Sequence, residues 1–451
     1  MRPIFLSIIA SALAITAAHA DERQFDAKLV SQAILPANTM VDAPNDAPEH
    51  LKTSGKFTTP DRKRAEGMGT VPGKDGARLT GLSMPFQGQP LQGFSGIKAI
   101  GDGTYWTLSD NGFGSKFNSP DAMLMLHHVA FDWDKGVVDR RETIFLRDPD
   151  RKVPFPIVME GSDSRYLTGS DFDVESIQPV EDGFWLGEEF GPYLVKVSRD
   201  GKVTDVVPTM VGDIAVRSPD NPAIGLPANP SLKNPAFNLK RSGGFEGLAQ
   251  SKDGSKLYAL LEGPLFGEDG TVEKVDGMPA LRIIEFNVAD KAWTGRSWLY
   301  PLSAGGEAIG DFNMIDATTA LVIERDNGAG TAAKACADPK APKADCFEAP
   351  SKHKRIYKIE MSDAEVGKAA RKIGYIDLMK IADPDGKKRQ GGGDGYYGMP
   401  FVTIENVDVV DATHIIVGND NNLPFSAGRA VDRADDTEFV VLEVGDFLKA
   451  R

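Results

Sequence analysis

Histidine and cysteine are scarce in this chain: of 451 residues only six are His and two are Cys. The nitrogen and sulfur ligands from which zinc sites are usually built are therefore in short supply. Beyond the first twenty residues no apolar run reaches about 18 residues, so no membrane-spanning helix is expected. Basic side chains are outnumbered, 51 Lys and Arg against 65 Asp and Glu, for a formal net charge of −14. Such a surface repels phosphate backbones and disfavours general nucleic-acid binding. There is no G-x-S-x-G elbow, H-E-x-x-H pair, EF-hand loop or Walker loop, so serine-hydrolase and P-loop chemistries have no footing. Ser95, in GFSGI, lies one residue short of that elbow spacing.

The remaining composition is that of a globular chain, 41% hydrophobic and 26% charged, with 47 Gly and 29 Pro to supply turns. Residues 1–20 read as a secretory signal: Arg2, an apolar stretch from Ile4 to Ala17, then the small-x-small site Ala18-His19-Ala20. The mature protein, 21–451, is therefore expected in the periplasm or outside the cell, as a monomer of one domain. In that oxidising setting Cys336 and Cys346 are expected to form a disulfide, stabilising by about 2–3 kcal/mol.

Five segments repeat one plan, a short alternating strand, a turn, and a second strand ending in acids or amides. They are FSGIKAIGDGTYWTLSDNG from Phe94, DVESIQPVEDGFWLGEEFG from Asp173, FEGLAQSKDGSKLYALLEG from Phe245, GDFNMIDATTALVIERDNG from Gly310 and TIENVDVVDATHIIVGNDNN from Thr403. Most are followed by another strand pair, so each repeat supplies about four antiparallel strands. The spacing, roughly 65 to 95 residues, exceeds the ~40–45 of a minimal propeller blade and implies long connecting loops. An all-β propeller of five or six four-stranded blades is expected, with a packed sandwich as the alternative. Residues 91–451 carry the repeats and 21–90 a closing strand and loop; FDAKLVSQAIL is placed to pair with EFVVLEV near the C-terminus. The best helical candidate is Ser362 to Lys372.

Propeller geometry gathers equivalent repeat positions around one channel mouth. The first strands carry Ser95, Glu175, Glu246, Asp311 and Glu405. The second strands end at Asp110/Asn111, Glu188/Glu189, Glu262, Glu324/Asp326/Asn327 and Asn419/Asp420/Asn421. Converging carboxylates repel, and a hard cation with oxygen ligands relieves that repulsion. The residues expected to hold one are Glu175, Glu188, Glu246, Glu262, Glu324, Glu405 and Asp420, with Ca²⁺ the expected ion and Mg²⁺ the alternative. Turn chemistry and blade-to-blade ties are the competing reading of the same acids.

Taken together, DFDVESI, WLGEEFGPYL, GGFEGLAQSKDGSKLYALLEGPL, IGDFNMID with VIERDNG, and PFVTIENV followed by NDNNLPFSAGR resemble the secreted bacterial family called esterase-like activity of phytase. The resemblance runs from about residue 90 to the end and implies a propeller, export and phytase-like phosphoester hydrolysis. The expected activity is a hydrolysis of small phosphate esters by metal-activated water, with Glu189 as general base and Arg325 stabilising transition-state charge. Two other readings stay open: a non-catalytic binding propeller with structural calcium, and a lactonase or carboxylic-ester hydrolase.

Overall fold

The computed structural model describes residues 22–58, 70–71, 78–224, 237–340 and 344–451; the leader read at 1–20 lies outside them. Alternating apolar residues and Asp-Gly or Asn-Gly turns fold the repeats into antiparallel sheets. The first sheet comprises β2 (Phe94–Ala99), β3 (Thr104–Ser109), β4 (Met125–Asp132) and β5 (Val137–Phe145). The second has β6 (Val174–Val180), β7 (Gly183–Glu188), β8 (Tyr193–Ser198) and β9 (Val203–Pro208). The third has β10 (Phe245–Gln250), β11 (Lys256–Leu261), β12 (Met278–Asn287) and β13 (Ala292–Pro301). The fourth has β14 (Ala308–Met314), β15 (Thr319–Arg325), β16 (Lys354–Glu360) and β17 (Arg371–Asp377).

The last sheet takes β18 (Asn406–Val409), β19 (His414–Gly418) and β20 (Thr437–Glu443) from the C-terminal repeat. Its fourth strand is β1 (Lys28–Leu35), from the other end of the chain, which pairs antiparallel with β20 from Lys28 opposite Glu443 to Leu35 opposite Thr437.

The innermost strands adjoin one another in a closed circuit, β2 to β6 to β10 to β14 to β18 and back to β2. Apolar side chains fill each gap between neighbouring sheets. Trp106, Leu108, Ile177 and Leu186 pack between the first and second, and Trp185, Leu194, Leu248 and Phe286 between the second and third. Leu260, Trp298, Phe312 and Tyr357 fill the next gap, Ile323, Ile356, Val407 and Val440 the one after, and Phe94, Ile97, Ile416 and Phe439 the last. This is a β-propeller, with five such sheets among the described residues. Burial of each of these large side chains is worth about 1.5–3 kcal/mol, so the sheet faces rather than the loops hold the ring together.

The Ser362–Lys372 segment departs from the helical expectation. Only Asp363–Glu365 forms a single 3-10 turn, and Arg371 already opens β17, because its partners on β16 offer a full ladder of backbone bonds. Cys336 and Cys346 form a disulfide that closes the loop after β15.

Candidate metal centre

Two local devices aim carboxylates at one end of the ring. The first is a bulge. Val174 pairs with Glu188 and Ser176 with Gly187, so Glu175 faces no partner residue on β7. Glu246 is left over in the same way, between Phe245 opposite Leu261 and Gly247 opposite Leu260. An extra residue of this kind bends the strand and re-aims its side chain. Glu405 reaches the same place from the residue just before β18, its amide bonded to Gly418 O at 3.2 Å. The second device is the position following the second strand. Asp110, Glu189 and Glu262 donate their amides back to Gly93, Asp173 and Gly244, which fixes all three at equivalent places.

The result is a group of eight carboxyl side chains: Asp110, Asp173, Glu175, Glu189, Glu246, Glu262, Glu405 and Asp420. Asp110 is half-buried and the other seven are at least nine-tenths buried, Glu189 and Glu246 to 5% exposure. Two sets offer oxygens within 4.8 Å of one another: Asp173, Glu175 and Glu189, and Glu175, Glu246 and Glu405. Some oxygens are already engaged. Asp173 accepts from Asn111 Nδ2 at 2.6 Å, Glu405 Oε2 from Ser95 Oγ at 2.7 Å, and Asp420 Oδ1 from the Asn422 amide at 2.7 Å. Glu189 Oε1 is buried with no hydrogen-bond partner.

Two cations face this group. Arg325 Nη2 lies 3.4 Å from Glu262 Oε1 and 3.7 Å from Glu405 Oε1, while Lys240 Nζ lies 2.9 Å from Glu262 Oε2. Arg325 Nη1 also donates to Asn327 at 2.8 Å, whereas its Nε is buried and unpaired. Burial and neighbouring carboxylates push Asp110, Glu175, Glu189 and Glu246 well above the ordinary carboxyl range. Burial, then Glu405, raises Asp420 to about 8. Glu405 is raised by burial too, against the opposing pull of Arg325.

Glu188 and Glu324 do not join the group. They are the last or next-to-last residues of their strands and alternate in side-chain direction with Glu189 and Arg325. Glu188 points into the second sheet's own loop and accepts the amides of Phe190 at 2.7 Å, Gly191 at 2.8 Å and Asp173 at 3.2 Å. Glu324 lies under the fourth sheet, bound by Tyr300 Oη at 2.6 Å, Lys372 Nζ at 2.8 Å, His353 Nε2 at 3.0 Å and the Ser303 amide at 3.0 Å. Burial opposes its charge, but His353, Lys372 and Tyr300 hold it at about 2.

Asp311 is offset by one residue from the glutamates. It lies lower in the channel, where it accepts the Val407 amide at 2.9 Å and ties β14 to β18. The true counterpart of Glu175 in the fourth sheet is Gly310, where a Cβ would sit 2.0 Å from Ile404 O. No side chain fits there, and Arg325 occupies this sector instead. Of the other expected residues, Glu175, Glu189, Glu246, Glu262, Arg325, Glu405 and Asp420 are brought together.

Asp173 and Lys240 were not among the residues the sequence singled out for binding. Asp173 is two residues before Glu175, the spacing that puts neighbours on one side of a strand, and that signal was available. Lys240 comes from an irregular loop and carries no pattern. A cleft of about 360 Å³ opens beside the group, lined by Asp110, Asn327, Val402, Asn422, Phe425 and Glu348 among others.

An all-oxygen donor set with few exposed lone pairs satisfied suits a hard divalent cation. The unpartnered oxygen of Glu189 is what such an ion would engage, since a buried acceptor left bare costs about 1–3 kcal/mol.

A family model described as "Phytase-like: Esterase-like activity of phytase" matches residues 89–423. An "Uncharacterized secreted protein" of Arthroderma benhamiae is 27% identical over 125 residues, which cover 26% of this chain and 24% of that protein. The chain thus spans about a quarter of the length of this relative. Among solved structures, the periplasmic gluconolactonase PpgL of Pseudomonas aeruginosa aligns with 84% of this chain and 98% of its own at 10% identity and a TM-score of 0.31. The Dos1 propeller aligns with 81% of this chain and 70% of its own at 8% identity and a TM-score of 0.29. Scores that low transfer no chemistry.

Proposed function

Because the chain belongs to the family described as esterase-like activity of phytase, we propose that it is an exported hydrolase of small phosphate esters working with a divalent cation of the calcium class. The observation that carries this reading is the convergence of Glu175, Glu246 and Glu405 oxygens within 4.8 Å, buried at the mouth of the ring and facing one guanidinium.

In this reading Glu175, Glu246 and Glu405 hold the cation. Bound there, a hard cation supplies Lewis acidity toward a phosphoryl oxygen and lowers the pKa of a coordinated water. Arg325 is positioned to take a second phosphoryl oxygen through its fork, because Glu262 and Glu405 fix the guanidinium from one side. Asp110 is the group we assign as general base in place of Glu189. It alone of the eight carboxyl side chains lines the open cleft, and one of its oxygens is held by the Gly112 amide at 2.8 Å. Burial together with Asp420 and Asp173 raises its pKa, which brings a carboxylate toward the strength a base needs near neutral pH.

Export is supported by the leader-like residues 1–20 and by the secreted description of the partial relative. The test is phosphate release from a panel of mono- and diesters, with lactones as controls, by chelated protein and after Ca²⁺ is returned. Calcium-restored phosphate release is the expected result. Turnover of lactones alone, or none with a calcium-raised melting temperature, would replace this reading with lactone hydrolysis or a structural metal.

A further inference from the structure

The carboxyl group has an internal asymmetry. Arg325 and Lys240 both stand on the Glu262 and Glu405 side. Among the described residues, no Lys or Arg forms an ion pair with Asp173, Glu175 or Glu189. The set of Glu175, Glu246 and Glu405 is therefore partly neutralised through the Arg325–Glu405 pair, whereas the set of Asp173, Glu175 and Glu189 has no ion pair and feels Lys240 and Arg325 only at longer range, through Glu189. The bare Oε1 of Glu189, on a side chain 95% buried, belongs to this latter set.

Charge counting leads the same way. Eight carboxyl groups against two cationic side chains leave an excess of six negative charges when all are ionised. One divalent ion reduces that to four, two ions to two. The two oxygen sets share Glu175, the bulged residue, which thus lies within reach of Asp173 and Glu189 as well as of Glu246 and Glu405.

We propose that the centre takes two divalent cations of the calcium class: a tighter one on Asp173, Glu175 and Glu189, and a weaker one on Glu175, Glu246 and Glu405, bridged by Glu175. The inference rests on the reading of this centre as a cation site. The tighter ion sits away from the guanidinium and organises Glu175; the weaker shares its carboxylates with Arg325 and so exchanges more readily, as suits the ion that meets substrate.

The experiment is a calorimetric titration of Ca²⁺ into the chelated mature chain. Two steps are expected. Losing one charged ligand should weaken its own step by about a hundredfold: D173N and E189Q the tight one, E246Q the weak one, with E175Q weakening both. A single step, abolished by E246Q and untouched by D173N and E189Q, would overturn the second ion and leave the hydrolase reading standing. No binding to the wild-type chain would overturn both. Should the variants fail to fold, Mn²⁺ loading of the wild-type protein decides: a spin-coupled pair in the paramagnetic resonance spectrum is expected at saturation, and a purely mononuclear signal would refute the bridge.

Discussion

Arg325 stands in the fourth sheet where Glu262 stands in the third, and the two meet across the sheet boundary, Nη2 to Oε1, at 3.4 Å. One change of sign at one repeat position thus gives a ring of acids its internal counter-ion. Removing one partner of a buried pair leaves the other uncompensated and costs about 3–5 kcal/mol. Arg325→Met should therefore lower the melting temperature most in chelator, with part of the loss recovered in Ca²⁺. Phosphate release should fall even at saturating calcium. Thermal melts with and without chelator, beside initial rates, check both halves; a variant as stable as wild type in chelator contradicts the counter-ion role.

Glu246→Gln removes one negative ligand while keeping shape. The expected outcome is loss of turnover and of the weaker calcium step, with the stabilisation given by the tighter ion retained and the strand content unchanged by circular dichroism. Full activity in this variant would remove Glu246 from the centre.

Glu324→Gln should behave in the opposite manner. Its carboxylate binds Tyr300, Lys372, His353 and the Ser303 amide, outside the acidic group. Loss of the charge should destabilise by about 3 kcal/mol while leaving calcium affinity alone. The folded-state pKa, about 2, lies below the ordinary glutamate value. The stabilisation is therefore fully present above about pH 4.5 and fades as pH falls toward 2. Burial keeps Lys372 below the usual lysine range even with Glu324 opposite. The variant should show a flatter acid limb of stability, measured by denaturant titration between pH 2 and pH 6.

The disulfide ties a loop whose continuation, Glu348 and Ala349, lines the cleft. Replacing both cysteines with serine should cost about 2–3 kcal/mol, by the chain-entropy account. Because the loop bounds the cleft and not the carboxyl group, KM should rise while calcium affinity holds. Steady-state kinetics beside calcium titration of the double variant test the separation; a matching drop in calcium affinity would contradict it.

How much of this was readable from the sequence follows from periodicity. Sheet residues alternate with period two, so the five repeats announced themselves through their hydrophobic pattern. Glu175, Glu246 and Glu405 fell out of the same alignment. What failed was register at single-residue resolution. Glu188 beside Glu189, and Glu324 beside Arg325, point opposite ways, and nothing in a pair of adjacent polar residues says which one faces the channel. Asp311 was misplaced for a related reason: the ladder slips between Ile309 and Phe312, and a slip moves a side chain to a different level. Lys240 depended on how an irregular loop returns to the ring, which no local pattern encodes. Ser362–Lys372 read as helix because its spacing of Ala and Val suits one, yet the free edge of β16 outweighed that preference.

The pairing of β1 with β20 has a consequence for the order of events in synthesis. The ribosome delivers β1 before the other four sheets and its partner β20 after them, so an eight-residue strand with unpaired amides must wait while those sheets form. An exposed edge of that kind recruits foreign strands. Linking the chain after β20 to the chain before β1 and opening it between two other sheets, a circular permutation, would make the final sheet continuous in sequence. Such a molecule should refold faster and aggregate less than its parent, while its acidic centre stays as it was.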